Sequence, residues 1–284
     1  VAGFKRAVLT LLLTLTGCSP TTVLNALAPR GGVTTTTDIP YASGPRHALD
    51  VYAPAGAHDA PVVVFFYGGN WEFGSRQMYR FVGAAMAARG VVTVIPDYRL
   101  FPEVRFPAFM EDAAQAAAWT RAHVAEYGGN PHRIFFMGHS AGGQIATLLA
   151  LDPEYLQAVG LSQREICGVI GLAGPYDFLP LTGAVYKQIF GPEAAWPRSQ
   201  PIDYVTPQAP PMLLLAGKDD TVVDPRNTVR LAARLRAAGV AATDTLYDGL
   251  GHEALIGAFA GPLTFLAPAR EATLAFIRDH PACN

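Results

Sequence analysis

The segment Ile134-Phe135-Phe136-Met137-Gly138-His139-Ser140-Ala141-Gly142-Gly143 constrains the chain most. An apolar run suited to a buried strand passes straight into G-x-S-x-G, and Gln144 to Leu151 continues with helix-compatible residues. A strand that turns at once into a helix forces the corner residue into a strained backbone conformation and pushes its side chain outward. Gly138 and Gly142 are needed on either side, because a Cβ at either place would clash across the turn. Ser140 is therefore the candidate nucleophile. A glycine-rich turn with an incidental serine would carry the same letters; the strand before it and the helix after it separate the two readings.

The rest of the chain supplies a matching scaffold. Thr34 to Ile39 and His47 to Tyr52 are rich in strand formers and flank the turn Ala42-Ser43-Gly44-Pro45, which predicts an antiparallel pair at a sheet edge. Val62 to Tyr67, Val91 to Ile95, Arg133 to Met137, Val169 to Ala173, Met212 to Ala216 and Thr243 to Tyr247 read as further strands. Helical segments fall between or after them at Ser75–Arg89, Ala108–Glu126, Gln144–Leu151, Pro153–Leu161, Asn227–Ala238 and Thr264–Asp279. The alternation predicts an α/β domain with a mostly parallel sheet, helices on both faces and an antiparallel N-terminal edge. Functional groups are then expected on loops beyond the C-terminal strand ends. Gly174 to Pro211 is a long excursion bearing prolines and aromatics, and an insertion of that size in a compact domain is usually functional.

Of the 284 residues, 50% are hydrophobic and 15% charged, with a net charge of −2. That composition suits one α/β domain over residues 33–284 and gives no basic surface for nucleic acid. The first residues differ. Lys5 and Arg6 precede the apolar run Ala7 to Leu15, as in an export signal, and the run is too short to span a bilayer comfortably. Leu15-Thr16-Gly17-Cys18 resembles a bacterial lipobox, which implies a signal over residues 1–17 and lipidation at Cys18. Residues 18–32 then read as a tether, and the protein is expected in the cell envelope, anchored to a membrane and facing the periplasm or exterior. Cys167 and Cys283 remain; Cys167 opens an apolar run and reads as a buried small hydrophobe, while spacing alone leaves open whether the two pair. No Cys/His spacing points to a metal, and no cofactor is expected.

A serine hydroxyl needs a general base, and the base needs an orienting acid. His252 lies in Tyr247-Asp248-Gly249-Leu250-Gly251-His252-Glu253, a glycine-flexed loop after the last strand, and is the candidate base. His139, beside the serine, is expected to point away from the reacting face. The acid is expected in Gly217-Lys218-Asp219-Asp220-Thr221-Val222-Val223-Asp224-Pro225. Position favours Asp220, with Asp219 as runner-up; Asp224 before Pro225 reads as a helix cap. Oxyanion donors are expected at the Ala141 amide and in the turn Gly68-Gly69-Asn70. Trp71, Phe73, Tyr176, Phe178 and Trp196 are candidates to border a substrate pocket. Glu72 and Arg76 read as surface charges.

The chain order Ser140, Asp220, His252, together with Pro96-Asp97-Tyr98-Arg99-Leu100, Phe106-Pro107-Ala108 and Gly138-His139-Ser140-Ala141-Gly142-Gly143, resembles the α/β-hydrolase superfamily. The resemblance is to the branch holding hormone-sensitive-lipase-like esterases, feruloyl-esterase-like enzymes and arylformamidases. It implies a serine carboxylesterase acting on small to medium acyl or aryl esters through an acyl-enzyme, with Gly69 and Asn70 donating alongside Ala141. An arylformamidase and a non-catalytic envelope binding protein are the alternatives. One position departs from the family: where H-G-G is usual, this chain has Tyr67-Gly68-Gly69. The larger tyrosine puts the seating of that turn in question.

Overall fold

The computed structural model describes residues 20–29, 31–281 and 283; the expected export signal and Cys18 lie outside the described residues. The chain runs through α1 (Pro20–Ala26), β1 (Val33–Pro40), β2 (Ala48–Pro54), β3 (Ala60–Phe66), α2 (Arg80–Ala87), β4 (Val92–Pro96) and α3 (Ala108–His123). It continues through β5 (Gly129–His139), α4 (Ala141–Leu151), α5 (Pro153–Ala158), β6 (Ile166–Leu172), α6 (Ala184–Ile189) and β7 (Met212–Gly217). It ends with α7 (Arg226–Ala237), β8 (Ala242–Tyr247), α8 (His252–Gly257) and α9 (Ala269–Asp279). The strands form one sheet in the order β1-β2-β4-β3-β5-β6-β7-β8. β2 pairs antiparallel with both β1 and β4, and the remaining pairings are parallel. This is the α/β-hydrolase arrangement that the resemblance implied.

Position in the sheet explains the sequence of each strand. β3, β6 and β7 lie inside, are covered on both faces, and are buried almost throughout, so their sequences are unbroken apolar runs. β1 is an edge, and its run of threonines stays exposed. β8 is the other edge and is only half-buried. α4 packs behind the sheet with every residue buried, which fixes the serine corner at its N-terminus to the middle of the core.

Some boundaries differ from the sequence reading. The stretch read as a tether contains α1, which is held by Asn25: its Nδ2 donates to the Gln77 carbonyl at 2.8 Å and its Oδ1 accepts from the Phe81 amide at 3.0 Å. The helix expected over Ser75–Arg89 is split into a 3₁₀ turn, Arg76–Tyr79, and α2. The helix expected over Thr264–Asp279 begins only at Ala269, after Pro268, whose ring disfavours helical backbone at the residue before it. Cys167 and Cys283, whose pairing the sequence left open, form a disulfide across a separation of 116 residues.

Candidate active site

Ser140 sits where β5 meets α4, with φ 57° and ψ −124°. A non-glycine residue there is strained, and the surroundings hold it. Its amide donates to the Leu172 carbonyl at 2.9 Å, and its own carbonyl accepts from the Gly143 amide at 2.8 Å. The two flanking glycines behave as expected. A Cβ on Gly138 would lie 1.9 Å from the Gly142 carbonyl oxygen, and one on Gly142 would lie 2.0 Å from that of Phe66.

Asp220 and His252 come together from the loops after β7 and β8. His252 Nδ1 and Asp220 Oδ2 are 2.7 Å apart, and both residues are buried. A carboxylate oxygen accepts, so Nδ1 carries the proton and Nε2 keeps its lone pair. The other oxygen, Asp220 Oδ1, accepts from the Val222 and Val223 amides, each at 2.9 Å. Burial works against the charge on Asp220, but the His252 bond and these two amides outweigh it and hold the carboxyl below its ordinary value. His252 forms the first residue of α8, a short helix that the sequence reading took for loop. Asp219 is exposed. Asp224 organises the start of α7, accepting from the Arg226 amide at 2.9 Å and pairing with its guanidinium.

His139 does not point away from this cluster, as expected from its place in the elbow. It is buried, and its ring packs on that of His252 at 4.7 Å between centroids. Burial first, and then the neighbouring His252, push its pKa down to about 3.

A cavity of about 650 Å³ opens from Ser140, with Ala141 and Asn70 beside it. Gly69 is not part of the lining; it shapes the turn, at φ +134°, where a Cβ would lie 2.0 Å from the Phe73 carbonyl oxygen. Trp71 and Phe178 line the cavity. The other three aromatic candidates do not: Tyr176 is fully buried in the core, Trp196 bonds the Gly191 carbonyl, and Phe73 is exposed. Asn227, Arg226, Arg230 and Asp177 form a polar stretch of the wall, with Arg230 and Asp177 paired at 3.0 Å.

The turn before the cavity rests on a buried polar cluster that sequence reasoning missed. Arg76, read as a surface charge, is buried and engages Asp38, Asp50 and Asp97 together. Asp97 also accepts from the Tyr67 hydroxyl at 2.8 Å, and that hydroxyl accepts from Arg46 Nη2 at 2.7 Å. Arg46 Nη2 donates in addition to the Gly74 carbonyl at 2.7 Å, which bridges the turn from end to end. Burial, followed by the neighbouring Tyr98 and Asp97, pushes the Tyr67 phenol well up, so it remains a donor. Asp97 belongs to the quoted Pro96–Leu100 motif and carried a signal; Arg46 and Arg76 carried none.

The BD-FAE family model matches residues 49–235. The chain is 29% identical over 238 residues to the probable isoprenylcysteine alpha-carbonyl methylesterase ICMEL1 of Arabidopsis thaliana, covering 75% of this chain and 50% of that protein. It is 32% identical over 246 residues to esterase LipC of Mycobacterium tuberculosis, covering 78% of this chain and 61% of that protein. The chain thus spans about half to three-fifths of these relatives, 50% and 61%. A similar solved structure is esterase B from Lactobacillus rhamnosis, inhibited by a C4-C4 SN3 tributyrin phosphonate. Its TM-score is 0.78 at 21% identity, over 98% of this chain and 95% of that one, a likeness of fold.

Proposed function

The chain belongs to the BD-FAE family, in the esterase branch of the α/β-hydrolases, and from that premise we propose that it is a carboxylic ester hydrolase with Ser140 as nucleophile, His252 as general base and Asp220 as orienting acid. The observation that carries this reading is the buried 2.7 Å contact between Asp220 and His252, with the His252 ring packed on His139 next to the strained serine corner. His252 Nε2 takes the Ser140 proton as Oγ attacks the ester carbonyl. Asp220 stabilises the imidazolium that results. The oxyanion of the tetrahedral intermediate is assigned to the amides of Ala141, Asn70 and Gly69, the first two of which belong to residues lining the cavity at Ser140. Its collapse expels the alcohol, protonated by His252, and leaves an acyl-serine. Water, deprotonated by the same imidazole, hydrolyses that ester.

The cavity volume of about 650 Å³ falls in the range that encloses a small organic molecule, which supports small to medium acyl or aryl esters. The purified protein is expected to hydrolyse p-nitrophenyl acetate and butyrate, and Ser140→Ala to abolish turnover. Absence of turnover across ester chain lengths would refute the reading; with no fluorophosphonate label on Ser140, the binding-protein alternative would replace it. N-formylkynurenine in the same panel separates ester from aryl-formamide hydrolysis. For location, the proposal is an exported protein lipidated at Cys18. The apolar run behind Lys5 and Arg6 supports it, as does a Cys167–Cys283 cross-link of the kind that persists in oxidising compartments. Detergent-phase partitioning unchanged by Cys18→Ala would reject the anchor.

A further inference from the structure

We propose that His139 is a positioning residue that sets the His252 main chain and imidazole against the serine corner and ties both to the oxyanion turn. The proposal rests on the triad reading above. His139 Nε2 lies 3.3 Å from the His252 carbonyl oxygen, an acceptor, so Nε2 carries the proton and donates. Its ring packs on the His252 ring at 4.7 Å between centroids, inclined by 42°. On its other side lies the turn: a Cβ built on Gly68 would stand 3.2 Å from His139 Nδ1 and 2.9 Å from the Ser140 Cβ. One side chain thus touches the base, adjoins the nucleophile and abuts the turn that carries Gly69 and Asn70.

Stability alone would not select a histidine there. Among the described residues Nδ1 has no hydrogen-bond partner, and a buried unpaired ring nitrogen is a cost that a phenylalanine of similar shape would not carry. What phenylalanine lacks is the donor to the His252 carbonyl. Because burial keeps the His139 ring neutral, it also adds no positive charge beside the imidazolium that forms on His252 during each proton transfer. A polar group retained at a stability cost, and placed to fix a second polar group, is the pattern of a site shaped by function rather than by packing.

The test compares His139→Phe, His139→Gln and His139→Asn with wild type and Ser140→Ala on p-nitrophenyl butyrate. Competent sites are counted by end-point fluorophosphonate labelling, and Tm is measured for each. Gln can place an amide N–H where Nε2 stands; the Asn side chain is too short to reach the His252 carbonyl. The Phe variant is expected to keep its Tm and its KM and to lose roughly 10- to 100-fold in kcat per competent site. Gln is expected to recover most of that loss and Asn little of it. Wild-type kcat per site in the Phe variant, or equal rates for Gln and Asn, would overturn the proposal. Should the Phe variant fail to fold, the Gln against Asn comparison decides alone. Turnover retained by Ser140→Ala would instead bring down the triad reading on which the proposal stands.

Discussion

Tyr67→Phe removes one oxygen and leaves the ring stack intact, with Tyr98 at 4.7 Å and Tyr79 at 5.7 Å between centroids. The deleted hydroxyl donates to Asp97 and accepts from Arg46. A buried hydrogen bond to a charged group contributes about 1.5–3 kcal/mol. Asp97 keeps the Arg76 amide, at 2.8 Å, and the Arg76 guanidinium, so it is not stranded. That places the Asp97 loss near the lower end of the range. The Arg46 bond adds less, because its side chain is 27% exposed and water replaces part of what is lost. The sum is about 2 kcal/mol. At about 2–4 °C per kcal/mol for a chain approaching this size, Tm should fall by roughly 4–8 °C.

Activity should fall too, because Arg46 then holds the turn only through the Gly74 carbonyl. A loosened turn misplaces the Gly69 and Asn70 amides without deleting them. We expect kcat to drop by about three- to tenfold with KM little changed, short of the hundredfold typical of losing an oxyanion donor outright. Differential scanning fluorimetry and p-nitrophenyl butyrate kinetics on the same preparations read both effects. A variant with Tm within about 1 °C of wild type and kcat within about twofold would show that the hydroxyl does not support the turn.

Three further outcomes are expected. Asp220→Asn keeps an acceptor for the Val222 and Val223 amides but sets an N–H against His252 Nδ1–H; kcat should fall by roughly 10³- to 10⁴-fold with the fold retained, and a loss below about tenfold would reject Asp220 as the acid. The His139 ring, ordinarily at 6.5, is held near 3 when folded, so the unfolded chain binds the extra proton between those values and stability falls as pH drops below 6.5. From pH 7.5 to 5 the loss is about 2 kcal/mol at about 1.36 kcal/mol per pH unit, read from urea midpoints, and His139→Gln should remove it. Cys283→Ser opens a cross-link spanning 116 residues and should cost about 2–4 kcal/mol; a reductant should reproduce the effect in wild type and add nothing in the variant.

What was legible in the sequence was local or ordered along the chain. The serine corner announces itself because strand, glycines and helix are contiguous, and the structure repeats each of them from β5 through Ser140 to α4. Asp220 and His252 could be singled out because each follows a strand at the matching end of the sheet, and the structure brings the two within 2.7 Å of each other. The supports were not legible. Arg76 meets partners 38, 26 and 21 residues away, in two strands and a turn, and no periodicity links them. Its position in a polar loop reads as solvent, yet three carboxylates make its burial sustainable. His139 was misjudged for a related reason. Strand alternation gives the direction of a side chain but says nothing of what a short helix more than a hundred residues later brings against it.

The excursion from Gly174 to Pro211 acts as a wall rather than a lid. Its inner turns are held by buried side-chain amides, among them Gln144 on α4 and Asn227 on α7. Gln144, on α4, accepts from Trp71 Nε1 at 3.2 Å and donates to the Ser199 carbonyl at 3.0 Å. Gln200 Oε1 accepts from the Phe178 amide, and Asn227 Oδ1 accepts from the Tyr176 and Asp177 amides, all at 2.8 Å. Three of these bonds, to Ser199, Tyr176 and Asp177, join the excursion to α4 and α7; at about 1 kcal/mol net each, releasing them costs about 3 kcal/mol before the burial of Tyr176 and Phe190 is counted. From these bonds alone an open form would be populated at about one part in a hundred, and the buried aromatics lower that further. On the proposed reading, selection among esters would fall on side chains that line the cavity with Ser140, among them Trp71, Phe178, Asn227 and Arg230. A substrate that needs more room than these leave gains little by waiting for the wall to move.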